Sequence, residues 1–165
     1  HPLLSQGPEA LGGLGYESGF SREMEKEALG ECRFCSRLRP LEGGAFLRAD
    51  GMLGLAGPLG VTPVVEMGQV ALRGLHNIEN LLAAFAALRD EVPVAAMHQL
   101  GKSFSGVEHR IEPVRTVNGV QWFNDSIATS PTRVVAGLRA FGQKLVVIAG
   151  VYDQQIPFEP LVPDL

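Results

Sequence analysis

The sequence predicts an α/β protein built in two parts, and three observations predict it. From Asn77 to Leu88 the apolar residues Ile78, Leu81, Leu82, Phe85 and Leu88 recur at three- and four-residue spacing, the period of a helix with one buried face. From Glu112 onward an alternating run, a helical period and the wholly apolar "KLVVIAG" follow one another, the strand, helix, strand rhythm of a parallel α/β sheet. Between these lies "SGVEHRIEP", a polar segment with Gly and Pro that marks the main change in composition, so that residues 1–106 and 107–165 read as portions of two domains.

In chain order, residues 1–31 are rich in Gly and polar side chains, and only "SREMEKEALG" suggests a helical turn or irregular connection. The short runs "CRFCSRL" and "GAFLRADGMLGLAG" follow, the second with Asp50-Gly51 as a type I′ hairpin signal, so an antiparallel ribbon or sheet edge is expected near residues 32–73. After the Ala-rich helix, "VPVAAMHQLGKSF" reads as a second helix opened by Pro93, and two helices joined by a short turn should pack together. In the second part Asn118-Gly119 sits between two alternating runs, a strong hairpin signal. Ser130 as N-cap with Pro131 at the first helical position opens a helix to about Phe141, and "KLVVIAG" then reads as a buried strand leading to the loop "VYDQQIP".

Composition limits what the chain can do. With 45% hydrophobic and 19% charged residues it is a globular sequence able to bury a core, and its 20 glycines and 11 prolines fall mostly between periodic segments as turn punctuation. The net charge of -4 and the lack of a dense Lys/Arg cluster argue against nucleic acid as a partner. The longest apolar runs fall far short of the roughly 20 residues that span a bilayer, so a cytoplasmic location without membrane contact is expected. Cys32 and Cys35 form one C-x-x-C with no second pair and no His at ligand spacing; alternation there fits an ordinary strand better than a metal or redox pair. The chain starts "HPLLSQGPEA" without Met and stops at "EPLVPDL", which suggests a piece of something longer.

In open α/β sheets ligands bind beyond the carboxyl ends of strands, where loops meet helix N-termini. Asn124-Asp125-Ser126 and Gly150-Val151-Tyr152-Asp153 are two such ends, and the helix opening at Pro131 suits a phosphate or carboxylate. Ser, Asp and Thr in "NDSIATSPTR" serve equally as caps and turn formers. Arg110, at the boundary, has a guanidinium fork that matches phosphate oxygens, or it is a surface ion-pair partner of Glu108 or Glu112. Asn77 and Asn80 share a helix face beside His76, where two amides can read a purine edge; alternatively Asn77 is a cap and Asn80 a buried hydrogen-bonding residue. There is no G-x-x-x-x-G-K-[ST] and no G-x-S-x-G, so this chain by itself is not a complete ATPase.

"GLHNIENLLAAFAAL" resembles the Mur ligase pattern G-x-H-N-x-x-N-x-x-A-A, and "FSGVEHRIEPV" is similar to the stretch that crosses from the central into the carboxy-terminal domain of that family. Where other members carry loops like D-Y-A-H-x-P or D-x-A-H-N-P, "NDSIATSPT" resembles the N-D-S-[KI]-A-T of the D-glutamate-adding branch, with Ile127 at the position where many relatives have a second lysine. The resemblance covers roughly residues 20–165 and is specific from Gly74 onward.

It implies the last part of a P-loop-type central domain, a mixed sheet with helices, followed by the first half of a Rossmann-like carboxy-terminal domain. It also implies a cytoplasmic, monomeric peptidoglycan precursor enzyme serving cell-wall biogenesis, cell shape and division. In that family ATP phosphorylates the alanyl carboxylate of UDP-MurNAc-L-Ala, the amine of D-glutamate attacks the acyl phosphate, and the tetrahedral intermediate collapses to amide and phosphate. By motif position Asn77 and Asn80 face the adenine, Arg110 the ATP phosphates and Asp125 the nucleotide, while Ser126, Thr129 and Gln154 border the D-glutamate side. The phosphate loop and the Mg²⁺ ligands, a carbamylated lysine among them, fall before residue 1, so ATP and Mg²⁺ are expected of a parent ligase and no turnover of this chain alone. Where the family reads G-G-Y-D-K, this sequence has "GVYDQ", with Val151 for Gly and Gln154 for a lysine; an amide hydrogen-bonds a carboxylate but brings no charge. That substitution motivates the alternative of a non-catalytic nucleotide-binding or interaction remnant of the same scaffold.

Overall fold

The structure, a computed structural model, describes residues 12–15 and 32–150. The turn expected in "SREMEKEALG", the loop "VYDQQIP" and Gln154 lie outside the described residues. The chain divides into two compact units, residues 1–72 with 76–104 and residues 73–75 with 105–165.

In the first unit five strands form one sheet in the order β1-β2-β3-β4-β5: β1 Gly12–Gly15, β2 Cys32–Ser36, β3 Gly44–Leu47, β4 Met52–Gly57 and β5 Gly60–Glu66. The expected antiparallel ribbon is present as the meander β3-β4-β5, but β2 pairs parallel with both β1 and β3, so the sheet is mixed. A parallel connection usually needs a dozen residues or more to return along the strand. Here residues 37–43 suffice because β2 and β3 overlap by only Cys35↔Ala45 and Ser36↔Phe46, the end of one strand against the start of the next. Gly44 makes that entry possible: its φ is +111, and a Cβ there would overlap the Phe34 carbonyl oxygen.

The hairpin at Asp50-Gly51 forms, though not with the type I′ turn its sequence suggests. Only Gly51 has positive φ, and the Gly51 N–H donates to the Arg48 carbonyl (3.0 Å) while Arg48 N–H donates to Met52 O (2.9 Å), which makes a longer loop ending in a left-handed Gly. Asp50 is held out of the left-handed region by local bonds: its carboxylate accepts from Met52 N–H (3.1 Å) and pairs with Arg48 (2.7 Å). Pro63 is tolerated within edge strand β5 because the ladder slips beside it, between Leu53↔Val65 and Gly54↔Pro63.

Two helices complete this unit, α1 Leu75–Leu88 and α2 Val94–Ser103, the latter preceded by Pro93 at its N-cap. α1 starts two residues before the expected Asn77 and buries Ile78, Leu81, Leu82, Phe85 and Ala86, whereas Leu88, expected on the same face, is exposed at the last residue of the helix. These join Cys35, Ala45, Leu53, Leu55, Val64, Val65 and Met97 in one core, where each large aliphatic or aromatic side chain contributes about 1.5–3 kcal/mol. The C-terminal end of α1 is tied to the sheet by Arg33, whose guanidinium donates to Ala87 O (3.0 Å) and pairs with Asp90 (2.9 Å), and by Arg89, which donates to Ala56 O (3.3 Å). Cys32 and Cys35 lie three apart on β2 and so point to opposite sheet faces; neither is in a disulfide.

In the second unit β6 Glu112–Val117 and β7 Val120–Asn124 form an antiparallel hairpin, and α3 spans Pro131–Leu138. Asn118 and Gly119 both have positive φ, as the Asn-Gly signal requires. The ladder again slips beside a proline, between Pro113↔Phe123 and Arg115↔Trp122. α3 stops at Leu138 rather than Phe141, where tighter turns take over: Ala140 N–H donates to Gly137 O and Phe141 N–H to Leu138 O. Phe141 then packs edge-on against Phe123 (centroids 4.9 Å), with the Arg73 guanidinium over both rings. The strand expected over "KLVVIAG" does not form among the described residues: Val146 and Ile148 are 94% and 81% exposed and no described strand pairs with them. A parallel strand exists only by its neighbours, and the two strands described in this unit pair with each other and not with this segment.

Candidate functional site

In the first unit, Asn77 sits in the first turn of α1, inside the helix rather than capping it, and is buried at 7% exposure. Asn80 is exposed, one turn on, and its amide donates to Asn77 Oδ1 (3.2 Å). The alternative expected from sequence is therefore reversed: Asn77 is the buried amide and Asn80 the exposed one. The pair presents an outward face on Asn80, with Asn77 as its support.

In the second unit, the residues flanking Arg110 carry unusual backbone. His109 has φ 65 and Ile111 φ 47, both left-handed, and Arg110 lies between them, half-buried. A β-branched residue there costs about 1–3 kcal/mol and persists only where surrounding bonds enforce it. Those bonds come from the loop after β7. Ile111 N–H donates to Asp125 Oδ1 (3.1 Å), Ile127 N–H donates to His109 O (3.2 Å), and the Asn124 amide meets His109 Nδ1 at 2.9 Å. Asn124 Oδ1 accepts from Ser126 N–H (3.1 Å), which turns the amide nitrogen toward His109 and makes the ring Nδ1 the acceptor when the imidazole is neutral. Glu112 accepts from His109 N–H (2.9 Å), and Arg110 forms no ion pair among the described residues. The proposed surface pair of Arg110 with Glu108 or Glu112 is thus not made.

Asp125 is half-buried at the end of β7 with its carboxylate against α3. Ser126 and Thr129 are exposed on the same loop, Thr129 N–H donating to Ile127 O (2.9 Å). Ser130 is the N-cap with extended backbone, and its hydroxyl makes no capping bond. The structure therefore brings Arg110, Asp125, Ser126 and Thr129 into one loop cluster. Asn124, at the strand end that the sequence marked, belongs to it as well, and so does His109, which had no distinguishing sequence signal. Among the described residues no group of three or more His, Cys, Asp or Glu could hold a metal ion, and no helix is long and apolar enough to cross a membrane.

This mixed α/β architecture is similar to that of solved Mur ligases. MurF from Acinetobacter baumannii matches it with a TM-score of 0.57 over 81% of this chain and 29% of its own, at 18% identity, a likeness of fold. A second Acinetobacter baumannii structure, of the UDP-N-acetylmuramoylalanyl-D-glutamyl-2,6-diaminopimelate–D-alanyl-D-alanyl ligase, matches with a TM-score of 0.56 over 78% of this chain and 28% of that one, at 17% identity. No protein-family model matches the chain.

Sequence relatives narrow the class. The UDP-N-acetylmuramoylalanine–D-glutamate ligase of Clostridium kluyveri is 43% identical over 151 residues, 92% of this chain and 32% of that protein. The enzyme of the same name from Clostridium beijerinckii is 48% identical over 145 residues, 88% of this chain and 31% of that protein. That of Acetivibrio thermocellus is 43% identical over 150 residues, 91% of this chain and 32% of that protein. The chain belongs to the Mur ligase family, and it spans about a third of the length of these relatives.

Proposed function

We propose that this chain is a segment of an ATP-dependent, cytoplasmic ligase that adds D-glutamate to UDP-N-acetylmuramoyl-L-alanine through an acyl phosphate. The observation that carries this is identity of 43–48% over about nine-tenths of the chain to ligases of that name. In this reading the first unit is the end of the central ATP-binding domain and the second the start of the carboxy-terminal one. Asn80, supported by Asn77, meets the adenine; Arg110 meets the phosphates, where a fixed guanidinium stabilises charge on the transferring phosphoryl group. Ser126, Thr129 and Gln154 border the D-glutamate side and align its amine. Mg²⁺, when bound in such a ligase, neutralises phosphate charge, and its ligands lie outside this chain.

The chain carries no phosphate cradle of the G-x-x-x-x-G-K-[ST] kind and is expected to form no amide by itself. Calorimetry with ATP tests the nucleotide site: Asn80→Ala and Arg110→Ala each weaken binding, and binding indifferent to both overturns the assignment. Incorporation of labelled D-glutamate into UDP-MurNAc-L-Ala by the isolated 165-residue chain would overturn its proposed inactivity. Gln154, at the position where the G-G-Y-D-K motif that the sequence resembles has a lysine, favours a second reading in which the scaffold keeps a nucleotide but not the amino acid. Saturable D-glutamate binding that Gln154→Ala abolishes would exclude that one.

A further inference from the structure

We propose that Asp125 is a positioning residue, whose carboxylate holds Ile111 in its left-handed conformation and thereby fixes the direction in which Arg110 is presented. Both neighbours of Arg110 have positive φ, and both are tied to the loop after β7. Of the bonds to that loop, the one to Ile111 is made by a charged group: its N–H donates to Asp125 Oδ1 at 3.1 Å. An ionised carboxylate is a stronger acceptor than a neutral carbonyl, which suits it to a backbone position that isoleucine disfavours.

The second carboxylate oxygen is also constrained. A Cβ built on Gly137 would lie 2.6 Å from Asp125 Oδ2, so α3 packs against the carboxylate at the one buried residue of that helix, and a larger residue there requires the carboxylate to shift. Asp125 thus joins three pieces of the second unit: the end of β7, the flank of α3 and the segment that carries Arg110. Its effect on a phosphate ligand through Arg110 is additional to the nucleotide contact that motif position implies for Asp125.

The part of this that concerns a ligand rests on the proposed nucleotide site, and the experiment separates the two. In the ¹⁵N-labelled 165-residue chain, Asp125→Ala should speed exchange of the Ile111 amide by about tenfold or more, the loss of one charged hydrogen bond. The amides of the β6–β7 hairpin should keep their protection, and Asp125→Asn, which retains an acceptor oxygen, should restore most of that of Ile111. In calorimetry with ATP, Asp125→Ala should weaken binding by about tenfold. Adding Ile111→Gly should recover part of that loss, because glycine takes positive φ without strain although nothing confines it there. A residue that acted only by contacting the nucleotide would not be rescued this way.

Should Asp125→Ala unfold the unit, Gly137→Ala serves instead: it displaces the carboxylate while leaving its charge, and should expose the Ile111 amide to the same degree. Unchanged Ile111 exchange in a folded Asp125→Ala chain, or in Gly137→Ala, overturns the proposal, as does failure of Ile111→Gly to rescue ATP binding. Absence of ATP binding by the parent chain overturns the nucleotide site alone, and the exchange data still decide the positioning role.

Discussion

Replacing Gly44 by Ala should destabilise the chain by about 3 kcal/mol, assembled from two effects at the point where β3 enters the sheet. The first is backbone: φ of +111 is a conformation that costs an L residue about 1–3 kcal/mol. The second is steric, since the new Cβ would overlap the carbonyl oxygen of Phe34, a backbone atom of β2 that no rotamer can move. Relief requires β3 to draw away from β2, loosening Cys35↔Ala45 and Ser36↔Phe46, at about 0.5–1.5 kcal/mol per hydrogen bond weakened. Urea denaturation followed by circular dichroism measures this, with the slope checked so that a change in midpoint can be read as a change in stability. Gly43 provides the internal comparison: a Cβ there meets nothing within 4 Å, and Gly43→Ala should shift stability by less than about 0.5 kcal/mol. A Gly44→Ala chain within about 1 kcal/mol of the parent would refute the close parallel approach of β2 and β3.

Arg33→Met should cost about 2 kcal/mol, because the Ala87 carbonyl loses the donor that a guanidinium only 7% exposed supplies; the contribution of the half-exposed Asp90 is smaller. Arg37→Met removes a more open pair with Glu79 and should cost less than about 1 kcal/mol, so equal losses in the two denaturation curves would contradict the difference in burial. Mild oxidation of the native chain should yield no Cys32–Cys35 disulfide by mass spectrometry. Three residues of strand separate their Cα atoms by about 10 Å, beyond disulfide reach, and a bridged product would mean that β2 is not a strand.

Periodicity made the helices legible, and it did so for a physical reason. Apart from Leu88 at its last residue, the face of α1 that the apolar spacing selects is the face that the core buries, since side chains three and four apart stack on one side of any helix. The Asn118-Gly119 turn was equally readable, because both residues tolerate the positive φ that a two-residue hairpin imposes. Asp50-Gly51 carried the same signal and formed a different loop, as Asp50 found local partners in Met52 N–H and Arg48. "KLVVIAG" has strand chemistry throughout, yet a strand is a pairing between segments, and propensity alone supplies no partner.

The candidate site divides in the same way. Motif order named Asn77, Asn80, Arg110 and Asp125, and helical spacing placed the two asparagines on one face, but which amide is buried depended on how α1 packs against the sheet. Nothing in "EHRIEP" announces left-handed backbone at His109 and Ile111; isoleucine argues against it. That conformation is imposed by Asp125, fourteen residues away, and by the carbonyl bond to Ile127. The sequence by itself determined which side chains are present and where helix faces and the Asn-Gly turn fall, since those follow from local sterics. The tertiary structure alone decided the mixed sheet, the burial of Asn77 and the lock around Arg110, because each depends on contacts between segments far apart in the chain.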